Sequence, residues 1–168
     1  MKHHKIKTFA EINSIRAHFT ECGLVGFHTP FAFVNGCFDL FHAGHASLLN
    51  SAKSLSGTNS KLVVGINSDS SIKRLKGASR PIVSAVERAY IVACHEDVDY
   101  VFIFNDNGVS KYLKQLQPNF WYKGDEYSLD NLDKKEKRAM GECILRPLPL
   151  TCGQSSSKII DKCRKQYL

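Results

Sequence analysis

Short apolar runs of strand length recur along this chain, with room for a helix between each pair, and that rhythm is its strongest constraint. The runs are Phe31 to Val34, Leu62 to Ile66, Tyr100 to Phe104, Asn119 to Tyr122, and a last one opening at Cys143-Ile144-Leu145. The first two read as buried strands and the others as strands. Strands that alternate with helical patterns predict an α/β fold, a five-stranded parallel sheet with helices on both faces. At 168 residues and 43% hydrophobic, the chain can bury one core. A single domain over residues 1–168 is expected, with an N-terminal helical segment over 1–28 and the α/β core over 29–168. No repeat, low-complexity stretch or long Gly/Ser/Pro linker divides it.

The turn after the first strand carries the chemistry. Asn35-Gly36 ends the strand, and a helical pattern starts near His42 and runs through Leu48, Leu49, Ala52 and Leu55. A strand-to-helix turn is where an α/β sheet offers its ligand crevice, and the helix start favours an anion. His42 and His45 lie one helical turn apart and can point at one object. Gly44 between them removes a Cβ and lets a ligand approach the backbone. Imidazole donors can stabilise charge that builds on a phosphate in a transition state, which suits nucleotidyl transfer. A zinc site would need further ligands, and Cys37 nearby reads as packing. No metal site is expected at these histidines.

Other segments extend the pattern. Thr8-Phe9-Ala10-Glu11 and Ser84-Ala85-Val86-Glu87 have the form of capping boxes, and Gly23 is a plausible stop for the first helix. That helix is expected on the sheet edge or on a partner. Lys73, Arg74, Lys76 and Arg80, punctuated by Gly77 and Pro81, read as a mobile phosphate-binding flap. Asn67-Ser68-Asp69 ends the second strand beside the first strand's carboxyl end if the sheet is parallel. Residues 128–140 are charged and helix-compatible. Ser155, Ser156 and Ser157 precede a final helix and offer hydroxyls and N–H groups to an anion.

Composition narrows the classes. No run of 18 apolar residues exists, and the basic N-terminus lacks the apolar region of a signal peptide. The histidines at its start, His3 and His4, are left out of the site. Six scattered cysteines without a C-x-x-C read as reduced thiols of a cytoplasmic protein. The net charge of +7 fits a polyanionic ligand; Lys134 to Arg138 is interleaved with Glu136 and has no aromatic platform, so nucleic acid ranks low.

The run Asn35-Gly36-Cys37-Phe38-Asp39 followed by His42-Ala43-Gly44-His45 resembles the HxGH signature of the cytidylyltransferase-like nucleotidyltransferases. It is most similar to the adenylyltransferase domain of the ADP-heptose synthases. Gly65 to Asp69, Arg74-Leu75-Lys76-Gly77, Arg80-Pro81, Glu87-Arg88 and the serines at 155–157 match the same branch, so the resemblance covers nearly all of residues 8–165. One departure is clear. The branch usually reads K-G-G-D-Y where this chain has Lys123-Gly124-Asp125-Glu126-Tyr127.

The resemblance implies a Rossmann-like nucleotidyltransferase fold and a nucleoside triphosphate with Mg²⁺. Asn35, Gly36, Phe38 and Gly44 would line the nucleotide pocket. His42 and His45 would be catalytic, at the α-phosphate. Lys53 is a further phosphate candidate, and Arg88 with Ser155, Ser156 and Ser157 would hold the β- and γ-phosphates. Asp39, Asn67, Asp69, Lys123 and Gly124 are the candidates for the second substrate. The implied reaction is adenylyl transfer from ATP to a heptose 1-phosphate or related sugar 1-phosphate, giving an ADP-sugar. The alternatives are cytidyl transfer to glycerol 3-phosphate or a phospho-amino-alcohol, and a non-catalytic nucleotide-binding module. The branch often carries a fused sugar kinase, for which this length leaves no room, so a stand-alone enzyme or a separate kinase is expected. A homodimer is also expected, with the N-terminal helix as one surface for it.

Overall fold

The computed structural model describes residues 2–21, 29–149 and 155–167. The elements follow in the order α1 (Phe9–Glu21), β1 (Phe31–Gly36), α2 (Ala43–Ser56), β2 (Lys61–Asn67), α3 (Asp69–Lys76), α4 (Ala85–Ala93) and β3 (Tyr100–Phe104). The second half adds α5 (Ser110–Leu116), β4 (Phe120–Gly124), α6 (Lys134–Ala139), β5 (Ile144–Leu148) and α7 (Ser156–Tyr167). The five strands pair in parallel in the order β3-β2-β1-β4-β5. All carboxyl ends therefore lie along one edge. The strand order reverses between β1 and β4, and such a switch point opens a crevice outside those ends.

The pleat sorts the core into two layers. Ala32 and Val34 of β1 join Leu62, Val64 and Ile66 of β2 under Leu49 and Ala52 of α2 and Ala89, Val92 and Ala93 of α4. Phe31, Phe33, Val63, Phe102 and Trp121 face the other way, against Ile12 of α1 and Leu113 and Leu116 of α5. Gly65 sits where this second layer is tightest. A Cβ there would meet the rings of Phe102, Phe104 and Phe33 at 3.1–3.3 Å.

The helix starts follow their caps. Thr8 accepts the Glu11 N–H at 3.2 Å while Glu11 accepts the Thr8 N–H at 2.7 Å. Ser84 and Glu87 make the same reciprocal box. The expected Gly23 stop lies outside the described residues, as do Cys22 and Cys152. The first helix lies on the sheet's second face and not on its edge. Phe9, Ile15 and Phe19, partly buried, pack there with Ile12. The stretch before it takes the edge, where Lys7 N–H bonds the Val101 carbonyl at 2.9 Å and Val101 N–H bonds that of Lys5 at 2.9 Å.

Two segments differ from expectation. The basic run after β2 is the helix α3 for most of its length. Ser68 caps it by accepting the Ser71 N–H at 3.1 Å, Asp69 stands in the first turn, Lys73, Arg74 and Lys76 in the last, and Gly77 ends it at φ +93°. Acid first and base last complement the helix dipole, which is why this charge run forms a helix and not a flap. Within 128–140, only Lys134–Ala139 is helical, started by Asp133, whose carboxylate accepts the Lys135 and Glu136 N–H groups. Among the described residues, no helix is long and apolar enough to cross a membrane.

Candidate active site

The signature turn is bent where β1 stops. Phe38 and Leu40 both sit at φ +50°, a left-handed conformation that L-residues seldom hold and that recurs at functional turns. Gly36 makes room for the bend, since a Cβ there would stand 3.2 Å from the Phe38 ring. His42 then begins α2 in extended conformation. Its carbonyl takes the N–H groups of His45 and Ala46 at 2.9 and 3.2 Å, and its imidazole makes no cap bond.

The two imidazoles stack with centroids 3.8 Å apart and planes inclined by 19°. Gly44 is buried in the turn between them. The rings of Phe38 and Phe41 lie 5.0 and 5.6 Å from that of His45. Both Nδ1 atoms are buried without a hydrogen-bond partner. Burial lowers the His42 pKa. Burial, then His42 and Lys76, bring His45 down to about 3 against the opposing pull of Asp39. Both rings are thus neutral near pH 7, and each can donate one N–H.

His45 opens into a cleft of about 790 Å³ across the carboxyl ends of β1, β2 and β4. Asn35, Gly36, Phe38, Asn67, Lys123 and Gly124 line it too. Asn35 is fixed by accepting the Trp121 indole N–H at 2.9 Å, and Asn67 donates to Ser71 Oγ at 3.0 Å. Lys123 is 8% exposed, its ammonium 3.7 Å from the Tyr127 ring centroid and 4.7 Å from that of Trp121. Burial lowers its pKa, with Glu136 and Glu126 opposing. The start of α7 reaches the same turn, where Ser156 Oγ donates to the Asp39 carbonyl and Ser155 caps the Lys158 N–H at 3.2 Å. Ser157 is exposed beside them. Residues 151–154, part of the expected anion seat, lie outside the described residues.

Four candidates are engaged by the fold's own groups in this structure. Arg88, expected on the triphosphate, is 1% exposed. Its guanidinium donates to the carbonyls of Val83, Cys37 and Asn67 and to Asp69 at 2.8 Å, so it clamps the ends of β1 and β2 together. Asp69, expected on the second substrate, is the partner in that clamp. Asp39, expected to orient the same substrate, accepts the Ile82 and Val83 N–H groups at 3.0–3.1 Å and pairs with Arg80 at 2.8 Å. Burial raises the Asp39 pKa, but the Val83 and Ile82 N–H groups and Arg80 outweigh it and leave it lowered. Lys53, expected on phosphate, pairs with Asp99 at 2.6 Å and donates to the Ser60 carbonyl at 2.6 Å. Those partners stand at the amino ends of β2 and β3, the far edge of the sheet.

The cleft also uses Lys76 of the basic run expected on phosphate, and residues not singled out for the site. Lys76 and the Asp106–Lys111 stretch after β3 form one wall, and Glu126, Tyr127 and Glu136 another. The strand-end rule that selected Asn67 would have found Asp106. Glu136 carried no local signal; it comes from α6 to accept the Val109 N–H at 2.9 Å. Among the described residues, no group of three or more His, Cys, Asp or Glu side chains is placed to hold a metal ion.

A parallel sheet whose first turn carries stacked histidines, with His45 lining a cleft at the strand ends, defines a nucleotidyltransferase-type α/β domain. The chain belongs to the cytidylyltransferase-like family, whose model matches residues 33–162. It is 42% identical to the bifunctional protein HldE of Helicobacter pylori strain P12 over 135 residues, 80% of this chain and 28% of that one. It is 37% identical to HldE of Citrifermentans bemidjiense over 135 residues, 80% of this chain and 27% of that one. The chain thus spans about a quarter of the length of these curated relatives. The fold is also similar to that of a lipopolysaccharide core biosynthesis protein from Thermoplasma volcanium, with TM-score 0.58 and 23% identity, covering 73% of this chain and 98% of that one. A macrolide-efflux protein from Streptococcus pneumoniae shares it at TM-score 0.54 and 20% identity, covering 82% of this chain and 53% of that one.

Proposed function

We propose that this protein transfers an adenylyl group from MgATP to a sugar 1-phosphate of heptose type, releasing pyrophosphate and forming an ADP-sugar. The observation that carries this reading is the stacked pair His42 and His45 with unpartnered Nδ1 atoms, of which His45 lines the cleft. An acceptor phosphate oxygen attacks the α-phosphorus. The bond from that phosphorus to the bridging oxygen breaks, and pyrophosphate departs with the electron pair, so no proton need move. The imidazole N–H groups meet the charge that grows on the α-phosphoryl oxygens, and the helix starts at Gly44 and Ser155 to Ser157 favour the triphosphate. The divalent ion travels with the nucleotide, since Mg²⁺ characteristically binds through phosphate oxygens. The adenylyl choice rests on the matched residues of the heptose branch and on identity to the HldE proteins. Cysteines 37, 94, 143 and 163 are free thiols, in keeping with a cytoplasmic enzyme.

The test is pyrophosphate release with Mg²⁺, comparing ATP and CTP against sugar 1-phosphates and alcohol phosphates. ATP with a sugar 1-phosphate is the expected productive pair, and His42→Ala and His45→Ala should each lower turnover by about 10²-fold or more. Turnover with CTP and an alcohol phosphate would move the chain to cytidyl transfer. Nucleotide binding without release would make it a binding module.

A further inference from the structure

Lys123 is 8% exposed as a residue and lines the cleft, and among the described residues no oxygen stands within ion-pair distance of its ammonium. It rests on the faces of Tyr127 and Trp121, at 3.7 and 4.7 Å, with the Glu136 and Glu126 carboxylates near enough to favour its charge. A buried charge without an oxygen partner is costly, and a ligand anion in the cleft removes that cost. Beside it, Glu126 folds back over Gly124 so closely that a Cβ at 124 would stand 2.0 Å from its carboxylate. Only glycine permits that seating. Glu126 lines the same cleft as an exposed carboxylate, outside ion-pair distance of Lys123 and with no hydrogen-bond partner for its carboxylate among the described residues. An anion seat and an unused acceptor thus lie side by side.

We infer that Lys123 and Glu126 together select the acceptor, Lys123 taking its phosphate and Glu126 its hydroxyls, so that the cleft takes a polyhydroxylated phosphate ester without a cationic group. This rests on the transfer reading above. An ionised carboxylate only accepts hydrogen bonds, and hydroxyls donate them. An ammonium on the acceptor would donate too. The aromatic faces that would receive a quaternary ammonium already hold Lys123, whose like charge repels a second cation at short range. The glutamate stands where the similar branch has aspartate, and its longer arm reaches back over Gly124.

Trp121, the chain's single tryptophan, reports on the seat because its indole is 4.7 Å from the ammonium. Its fluorescence is followed in the full chain, without nucleotide, while inorganic phosphate, glucose 1-phosphate or phosphocholine is added. Wild type should bind glucose 1-phosphate about tenfold more tightly than either other probe. Glu126→Gln should bring glucose 1-phosphate to within about twofold of inorganic phosphate while phosphate itself binds as well or better. Lys123→Met should abolish the response to all three. A preference that survives Glu126→Gln overturns the inference. So does phosphocholine bound as tightly as the sugar phosphate, or a wild type silent toward every probe. The two readings fail separately. The binding preference without pyrophosphate release rejects transfer and keeps the pair. Release with an acceptor KM untouched by Glu126→Gln rejects the pair and keeps transfer.

Discussion

Asp39 and Arg80 form an ion pair at 2.8 Å, and through it the signature turn holds the loop that leads into α4. The carboxylate is 1% exposed and also accepts the N–H groups of Ile82 and Val83, while its own backbone carbonyl takes the Ser156 hydroxyl. One residue thus joins the turn, the loop and the start of α7. Asp39→Asn keeps the shape and removes the charge, leaving Arg80 without its partner. It should cost about 3 kcal/mol in urea denaturation near pH 7. Because the folded carboxyl pKa is lowered, its contribution is present above the unfolded value of about 3.9 and is lost as pH falls through the folded one. Wild type and variant should therefore converge in acid. Equal stability at pH 7 would show that the pair holds nothing.

Arg88 makes the harsher prediction. Two of its four bonds reach the ends of β1 and β2, one reaches Asp69 in α3 and one the Val83 carbonyl before α4, and its side chain is 0% exposed. Arg88→Met should destabilise by about 3–5 kcal/mol, the range for breaking a buried charged pair. Arg88→Lys should recover little, because an ammonium cannot fork to carbonyls on separate strands. If the residue instead gripped triphosphate directly, Arg88→Lys would keep full stability and lose only nucleotide affinity. The two parameters measured on one variant separate these roles.

Lys53 should be dispensable to turnover. It stands eight residues beyond His45 on α2, about 12 Å along the helix axis, and bonds the far edge of the sheet. Lys53→Met should leave the nucleotide KM within about twofold and cost about 1 kcal/mol, near the upper end for partly exposed pairs. Asp99→Asn should cost more, because Asp99 also pairs with Lys61 and accepts the Leu62 N–H at 2.8 Å. A large rise in nucleotide KM for Lys53→Met would return the residue to the site.

These corrections mark where the sequence is legible. Strands buried on both faces leave unbroken apolar runs, and the cap residues Thr8 and Ser84 announce their helices by local chemistry. The histidine pair was readable because both rings stand on one helical turn. The charged residues were not, since their partners are remote in the chain: Arg88 reaches a carbonyl at Cys37, and Asp39 reaches N–H groups at Ile82 and Val83. Nothing local tells an arginine that grips phosphate from one that grips a strand end. Lys53 had a positional clue. α2 runs back from the carboxyl edge of the sheet, so its last turn lies far from the site that its first turn serves.

His45 links the site to acid stability. Its folded pKa of about 3 lies below the ordinary imidazole value of 6.5, so the unfolded chain binds the extra proton first. Stability from this group is full above pH 6.5 and falls progressively as pH drops toward the folded value. His45→Gln removes the titrating ring, so its unfolding free energy should decline less than that of wild type between about pH 7 and 5. Parallel curves would mean that the ring is solvated and not buried against Phe38 and Phe41. A bound triphosphate adds the opposite effect: negative charge beside the imidazoles favours their protonated forms and raises their pKa values. The acid loss in wild type should therefore shrink when MgATP is present, and His45→Gln, which keeps only His42, should show a smaller change.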